Sequence, residues 1–348
     1  MSAHRETAGQ SPGGVPLTPP AGSRPPALTK TQAPESRPTT TAFVLAFATI
    51  YIVWGSTYLG IRVAVETMPP FLMAASRFLI AGSLLFAVMK LRGVPWPTLR
   101  QWRINAVIGT FLLLGGNGLV VWAEQTIPSG ITALLIGVGP LFIVLTEWAW
   151  PGGTRPTWIT MLALLIGFAG VAWLAAPWES EASGGLHAAG LVAVLGASIF
   201  WAIGSIYSRH AMHGTDLFMA SALQMLGGGC ALVVVALIHG DFGAFDFAAI
   251  SGRSWAAYFY LIGAGSLVGF STFVWLMKHS TPARVATYAY VNPIVAVFLG
   301  WLLLGEPITS RTLVASAIIV AAVVIITVQK NRPLPAKAAP ASDANRRA

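Results

Sequence analysis

From residue 42 to residue 329 the chain alternates apolar stretches of about one membrane width with short polar connections. The stretches fall at about 42–61, 70–89, 104–123, 129–149, 158–175, 187–208, 217–238, 254–276, 283–303 and 311–329. Each is close to the ~20 residues that a helix needs to cross ~30 Å of hydrocarbon. The pattern predicts an all-α integral membrane protein with ten transmembrane helices. Residues 1–41 and 330–348 hold no apolar run and are rich in small polar residues, Pro and Ala. They are expected to be disordered cytoplasmic tails, and a cleaved signal peptide is not expected in the first.

An internal echo gives this pattern a geometry. Laid without a gap over residues 201–229, residues 54–82 pair Trp54 with Trp201, Arg62 with Arg209, Phe71 with Phe218 and Gly82 with Gly229. Ala64/Ala211, Ala75/Ala222 and Leu79/Leu226 also coincide. The copies begin at the first and sixth helices, so five crossings separate them and the second half enters the membrane upside down. Helix four (IPSGITALLIGVGPLFIVL) likewise resembles helix nine (TPARVATYAYVNPIVAVFL), with Pro128 against Pro282 and Pro140 against Pro293. The expectation is two inverted five-helix repeats, residues 42–175 and 187–329. This construction is common in secondary transporters, where two related bundles open a central site to either side in turn, and it also occurs in some channels.

Composition and charge narrow the class. The chain is 55% hydrophobic and 9% charged, which excludes an ordinary soluble protein. Its formal charge of +9 comes without a basic run, so no nucleic-acid partner is expected; the bilayer is the partner. With the N-terminus inside, 17 of the 21 Lys and Arg lie on the cytoplasmic side, which places both termini in the cytoplasm. Cys230 stands alone in an apolar run, where burial as a small residue is expected. Gly265-x-x-x-Gly269 is expected to bring helix eight against a neighbour rather than to make a dimer, and a homodimer is left open.

The segments WGSTYLGIRVAVETMPPFLMAASRF, NGLVVWAEQTIPSGITALLIGVGPLF and VATYAYVNPIVAVFLGWLLLGEPIT resemble the EamA-type branch of the drug/metabolite transporter superfamily, most closely its YedA-like members. The resemblance covers nearly all of residues 43–329. It implies an exporter-like fold of two five-helix EamA repeats in a bacterial inner membrane, with amino acids, other metabolites or toxic compounds as substrates. One departure is visible. The second repeat ends its fourth helix with Leu-Gly-Glu-Pro at 304–307, whereas the first has Pro-Gly-Gly-Thr-Arg-Pro at 151–156 and no acid.

Candidate substrate-binding residues follow from polar, aromatic and helix-breaking positions inside spans. Trp54, Ser56, Thr57 and Tyr58 on helix one and Trp201 and Ser205 on helix six suit either an amphipathic cavity or an interfacial belt. Tyr288 on helix nine and Trp275 on helix eight are further aromatic candidates. Asn117, flanked by glycines, either bonds a neighbouring helix or faces substrate. Gly139 with Pro140 and Asn292 with Pro293 mark mid-helix sites where a kink or unwinding frees a carbonyl. Arg77 is charged well inside a span, and either attracts an anion to the cavity or pairs with Glu66 or Glu124. Glu124 and Glu147 read as solvated helix-end charges, with Glu124 the first to test for proton coupling. His210 and His213 lack a companion ligand, so no metal is expected. No phosphate loop is present, and no cofactor or catalytic set is expected. The reading is a secondary transporter that exports a small organic molecule and not an enzyme, with a channel or a sensory membrane protein as the alternative.

Overall fold

The computed structural model describes residues 39–153, 155–175, 186–211, 215–280, 285 and 287–330. The two expected tails, save residues 39–41 and 330, lie outside the described residues, as do Pro282 and His213.

Local chemistry sets the helix limits. Helix α1 (Thr40–Ala64) starts where Thr39 Oγ1 accepts the Ala42 N–H at 3.2 Å. Helix α2 (Pro70–Leu91) opens with a proline, which has no N–H to leave unpaired. A capping box between Thr98 and Gln101 opens α3 (Leu99–Ala123), which runs as a π-helix through Thr110–Gly118. Helix α4 (Ser129–Ala149) is interrupted at Gly137 and Val138, separating Ser129–Ile136 from Gly139–Ala149. Then come α5 (Trp158–Ala175) and α6 (Ala188–Ala211). Asp216 caps α7 (Leu217–His239) by accepting from Phe218 N and Met219 N, and Gly240 ends it with φ +87°. Helix α8 consists of Gly252–Tyr260, a π-helical Leu261–Gly269 and Phe270–His279. Helix α9 (Tyr288–Leu304) stops at Gly305, φ +67°, and α10 (Ser310–Lys330) ends the described chain.

Among the described residues, seven helices are long and apolar enough to cross a membrane. Three shorter apolar helices, Trp158–Leu174, Val291–Leu304 and Ser310–Ile326, stand where the pattern predicts three further spans. The outer surface is apolar: Ile238 is 81% exposed, Leu165 66% and Leu45 62%. A surface of this kind is compatible with lipid and not with water. Cys230, expected to be buried, is exposed on α7, because the small residues turned inward there are Gly228 and Gly229.

Packing is governed by small residues, as it must be where lipid supplies no hydrophobic drive between helices. Helix α2 lies along α7 and α5 along α10, while α3 packs on both α6 and α7. Helix α8 packs on α1 and α2, α1 on α9, the Gly139–Ala149 half of α4 on α6, and the Ser129–Ile136 half on α9. Replacing each helix by the one five further along maps these pairings onto one another. The α3–α7 approach is so close that a Cβ added at Gly109 would stand 2.1 Å from the Gln224 carbonyl oxygen.

Candidate transport cavity

A cavity of about 570 Å³ lies where α1, α2, α3, α4, α6, α8 and α9 converge. Call the face on which α1 begins the near face and the face on which it ends the far face. Toward the near face the cavity runs past Ile143 and Val144 to Arg209, whose side chain is 52% exposed and pairs with Glu147 Oε1 at 3.0 Å. Toward the far face it ends against Ile61, Val120 and Ala133, beyond which Val121, Glu124, Ile127 and Ser129 are 0% exposed.

The interruption of α4 explains this shape. The Ser129–Ile136 half leans on α9, and the Gly139–Ala149 half leans on α6, so α4 leaves α9 below their crossing. At the crossing, Pro293 Cγ would lie 3.2 Å from a Cβ on Gly137. The matched prolines therefore act differently. Helix α4 breaks beside Pro140, with glycines on both sides of the break, whereas α9 runs through Pro293 as a continuous helix. Helix α9 is held from behind: Val295 fills the space that a Cβ on Gly55 of α1 would need.

Of the sequence candidates, Trp54, Thr57, Tyr58, Arg77, Asn117, Gly139, Pro140, Trp201, Tyr288, Asn292 and Pro293 line the cavity. Trp54 is fixed edge-on to Tyr288 with centroids 5.1 Å apart and packs against Phe273 at 5.1 Å. Gly269 admits its indole: an added Cβ would sit 2.6 Å from Trp54 Nε1, and one on Gly265 3.0 Å from Thr57 Cγ2. The Gly265-x-x-x-Gly269 pattern thus seats α8 on α1, as expected. Gly116 makes the same room for Trp201.

Arg77 is 4% exposed; its Nε donates to Ser266 Oγ at 2.9 Å and its guanidinium lies 4.8 Å from the Phe78 ring centroid. The expected pairing with Glu66 is absent, because Glu66 faces Arg253 across 4.0 Å on the far surface. Among the described residues, three polar atoms at the cavity have no protein partner: Arg77 Nη1, Asn117 Oδ1 and Asn292 Oδ1. The described wall therefore offers the Arg77 guanidinium, two amide acceptors and broad aromatic faces, with Arg209 at its near end. A solute bearing both an anionic or accepting group and a donor on an apolar body would satisfy it.

Ser56, Ser205, Trp275 and Glu124 do not line the cavity. Ser56 is turned away from the cavity and shares a hydrogen bond with the Tyr260 hydroxyl of α8 at 2.5 Å, because two helical positions put it on the other side of α1 from Trp54. Ser205 is half-buried on α6, and Trp275 packs on Phe43 and His279 near the start of α1. Ser198, Ser266 and Phe270, not singled out from the sequence, do line it. Ser266 sits in the π-helical segment of α8, where helical periodicity misassigns its face.

The far seal contains the Glu of Leu-Gly-Glu-Pro. Gly305 turns the chain back, and Glu306 Oε1 accepts from Ser129 N at 2.7 Å and Ser129 Oγ at 2.9 Å, while Oε2 accepts from Gly130 N at 3.0 Å. One carboxylate thereby caps the first turn of α4 from the end of α9. Asp241 similarly reaches Leu72 N at 2.8 Å in the first turn of α2. Arg62 Nη1 donates to the Glu124 backbone carbonyl.

The described residues form an all-helical body, with helices long and apolar enough to cross a membrane, around an amphipathic cavity closed toward the far face. The chain matches the EamA-like transporter family at residues 41–176 and again at 188–328, and it belongs to that family, within the drug/metabolite transporter superfamily. It is 38% identical over 294 residues to the Escherichia coli K12 inner membrane transporter YedA, covering 82% of this chain and 90% of that one. The Bacillus subtilis transporter YvbV is 25% identical over 307 residues, covering 85% of this chain and 93% of YvbV. Dickeya dadantii PecM is 26% identical over 283 residues, covering 79% and 88%. A crystal structure with 21% sequence identity superposes with a TM-score of 0.58 over 84% of this chain and 99% of that one, a likeness of fold.

Proposed function

We propose that the protein is a secondary transporter that exports a small organic solute, a metabolite, amino acid or drug, across a bacterial inner membrane by alternating access. The observation that carries this reading is the cavity, reached from the near face past Arg209 and closed at the far face where α4 meets α9. Ten crossings in two inverted repeats, 42–175 and 187–329, supply the two bundles that exchange. Support comes from the two family matches and from a packing pattern that returns on itself under a five-helix step. The excess of basic residues on the near side supports a cytoplasmic near face with both termini there. The substrate binds between Trp54, Trp201 and Tyr288, with Arg77, Asn117 and Asn292 supplying its polar contacts.

Purified protein in proteoliposomes tests this. Labelled amino acids, nucleosides and cationic dyes are offered in turn, and saturable counterflow of at least one is expected. Conductance that grows without saturation would instead mark a channel. A reporter fused after Arg347 is expected to report from the cytoplasm, and a periplasmic signal would overturn the orientation.

A further inference from the structure

Glu124 was expected to be a solvated helix-end charge. It lies one residue past the last turn of α3, yet it is 0% exposed and neither carboxyl oxygen has a hydrogen-bond partner. Its surroundings account for each charge nearby. Arg62, from α1, spends Nη1 on the backbone carbonyl of Glu124 and not on its carboxyl group. Arg77, from α2, is engaged with Ser266. Tyr58, on α1, is the nearby phenol. Glu306, at the end of α9, accepts from the Ser129 and Gly130 backbone N–H groups. Helix α6, packed along the end of α3, carries no ionisable group between Ala188 and Phe200, and His187 before it accepts from Gly190 N.

An unpartnered buried carboxylate loses its hydration without compensation, so the neutral acid is favoured. Burial pushes the Glu124 carboxyl well above the ordinary range; Glu306 adds to the rise, and Arg62 and Arg77 only oppose it. Five residues further on stands Ser129, the residue that Glu306 clamps. When that contact opens, Glu124 meets water and the Arg62 guanidinium, and its acidity returns toward normal.

We propose that Glu124 is the proton-binding site of the far gate: closing the gate takes up one proton from the far-side solution, and opening returns it. This rests on the alternating-access reading and adds a proton step to it. The closed-gate affinity for the proton is the higher one. Closure is therefore fully favoured below the ordinary carboxylate range and is lost as pH rises through the elevated closed-state value.

The test needs no substrate. Thr132, 0% exposed in the half of α4 that packs on α9, serves as reporter in a Thr132→Cys, Cys230→Ala protein reconstituted in vesicles. A charged, membrane-impermeant maleimide is added at the far face at pH 6 and pH 8, and each rate is divided by that of denatured protein at the same pH. The corrected rate is expected to rise by about tenfold or more, since a one-proton linkage changes the gate equilibrium by up to ~10-fold per pH unit. Glu124→Gln, which copies the neutral acid, is expected to stay slow at both pH values. Glu124→Met repeats the test if the Gln variant expresses poorly. The same pH response with and without Glu124, or no labelling at either pH, would overturn the proposal. Loss of saturable counterflow with the labelling pattern intact would remove the carrier reading instead.

Discussion

Glu306→Ala removes three hydrogen bonds that one carboxylate makes to the first turn of α4 from the end of α9. Hydrogen bonds to a charged group contribute about 1.5–3 kcal/mol each, but bonds sharing one carboxylate are not additive. Loss of a helix N-cap alone costs about 0.5–2 kcal/mol, and a partly buried anion at a helix N-terminus adds up to ~2 kcal/mol. About 2–3 kcal/mol is a consistent magnitude for the cluster, equivalent to a roughly 30- to 150-fold shift in equilibrium. Because the bonds span α4 and α9, the loss falls on the far contact and not on either helix alone. Hydrogen–deuterium exchange is the assay. Amides of residues 129–136 are expected to lose protection by about 30-fold or more, while α2 and α7 keep theirs. Glu306→Gln, which retains an acceptor without the charge, should lie between. Protection at 129–136 unchanged within threefold would refute the latch. An equal loss in every helix would show a general structural role instead.

The other expectations concern the cavity and the packing beneath it. Trp54→Ala removes the ring that stands on Tyr288, and Asn117→Ala removes an amide whose oxygen has no protein partner. Both are expected to cut counterflow tenfold or more, with membrane expression near normal; loss of expression in both would make them structural. Arg77→Met keeps the apolar stem and removes the cation, so anionic solutes should lose binding, seen as a vanished thermal shift, while neutral ones keep it. Gly109→Ala forces a methyl group onto the Gln224 carbonyl and should lower stability by about 1–3 kcal/mol, read from thermal unfolding in detergent.

Membrane class and helix placement were legible in the chain because hydropathy is a one-dimensional signal, and the family was legible through the resemblance of three quoted segments to it. Much of the cavity was legible too. An aromatic, an amide or a proline inside an apolar span has few physical reasons to be there, and Trp54, Asn117, Pro140 and Asn292 do meet. What the pattern could not carry was the direction of each side chain. Ser56 is two positions from Trp54 and so turns away from the cavity, toward Tyr260, and the π-helical segments of α3 and α8 shift the register that would have revealed Ser266. Paired prolines suggested paired breaks, but only α4 has glycines beside its break to accept one. Glu124 looked like a surface charge because helix ends are usually wet, and nothing local says that α1, α2 and the α9 turn close over it. The role of Glu306 depends on a contact across 177 residues, and no local pattern announces that.

Alternating access is tested most directly by asking which side reaches one cavity residue. In an Asn117→Cys, Cys230→Ala protein, an impermeant thiol reagent is applied to each face in turn, with the far contact free or cross-linked between cysteines at Gly130 and Val297, where a Cβ on Gly130 would stand 3.0 Å from the Val297 backbone. Labelling from both faces in the free protein, and from the near face alone once the far contact is locked, is the expected result. Labelling from the far face with that contact locked, or from only one face in the free protein, would contradict it.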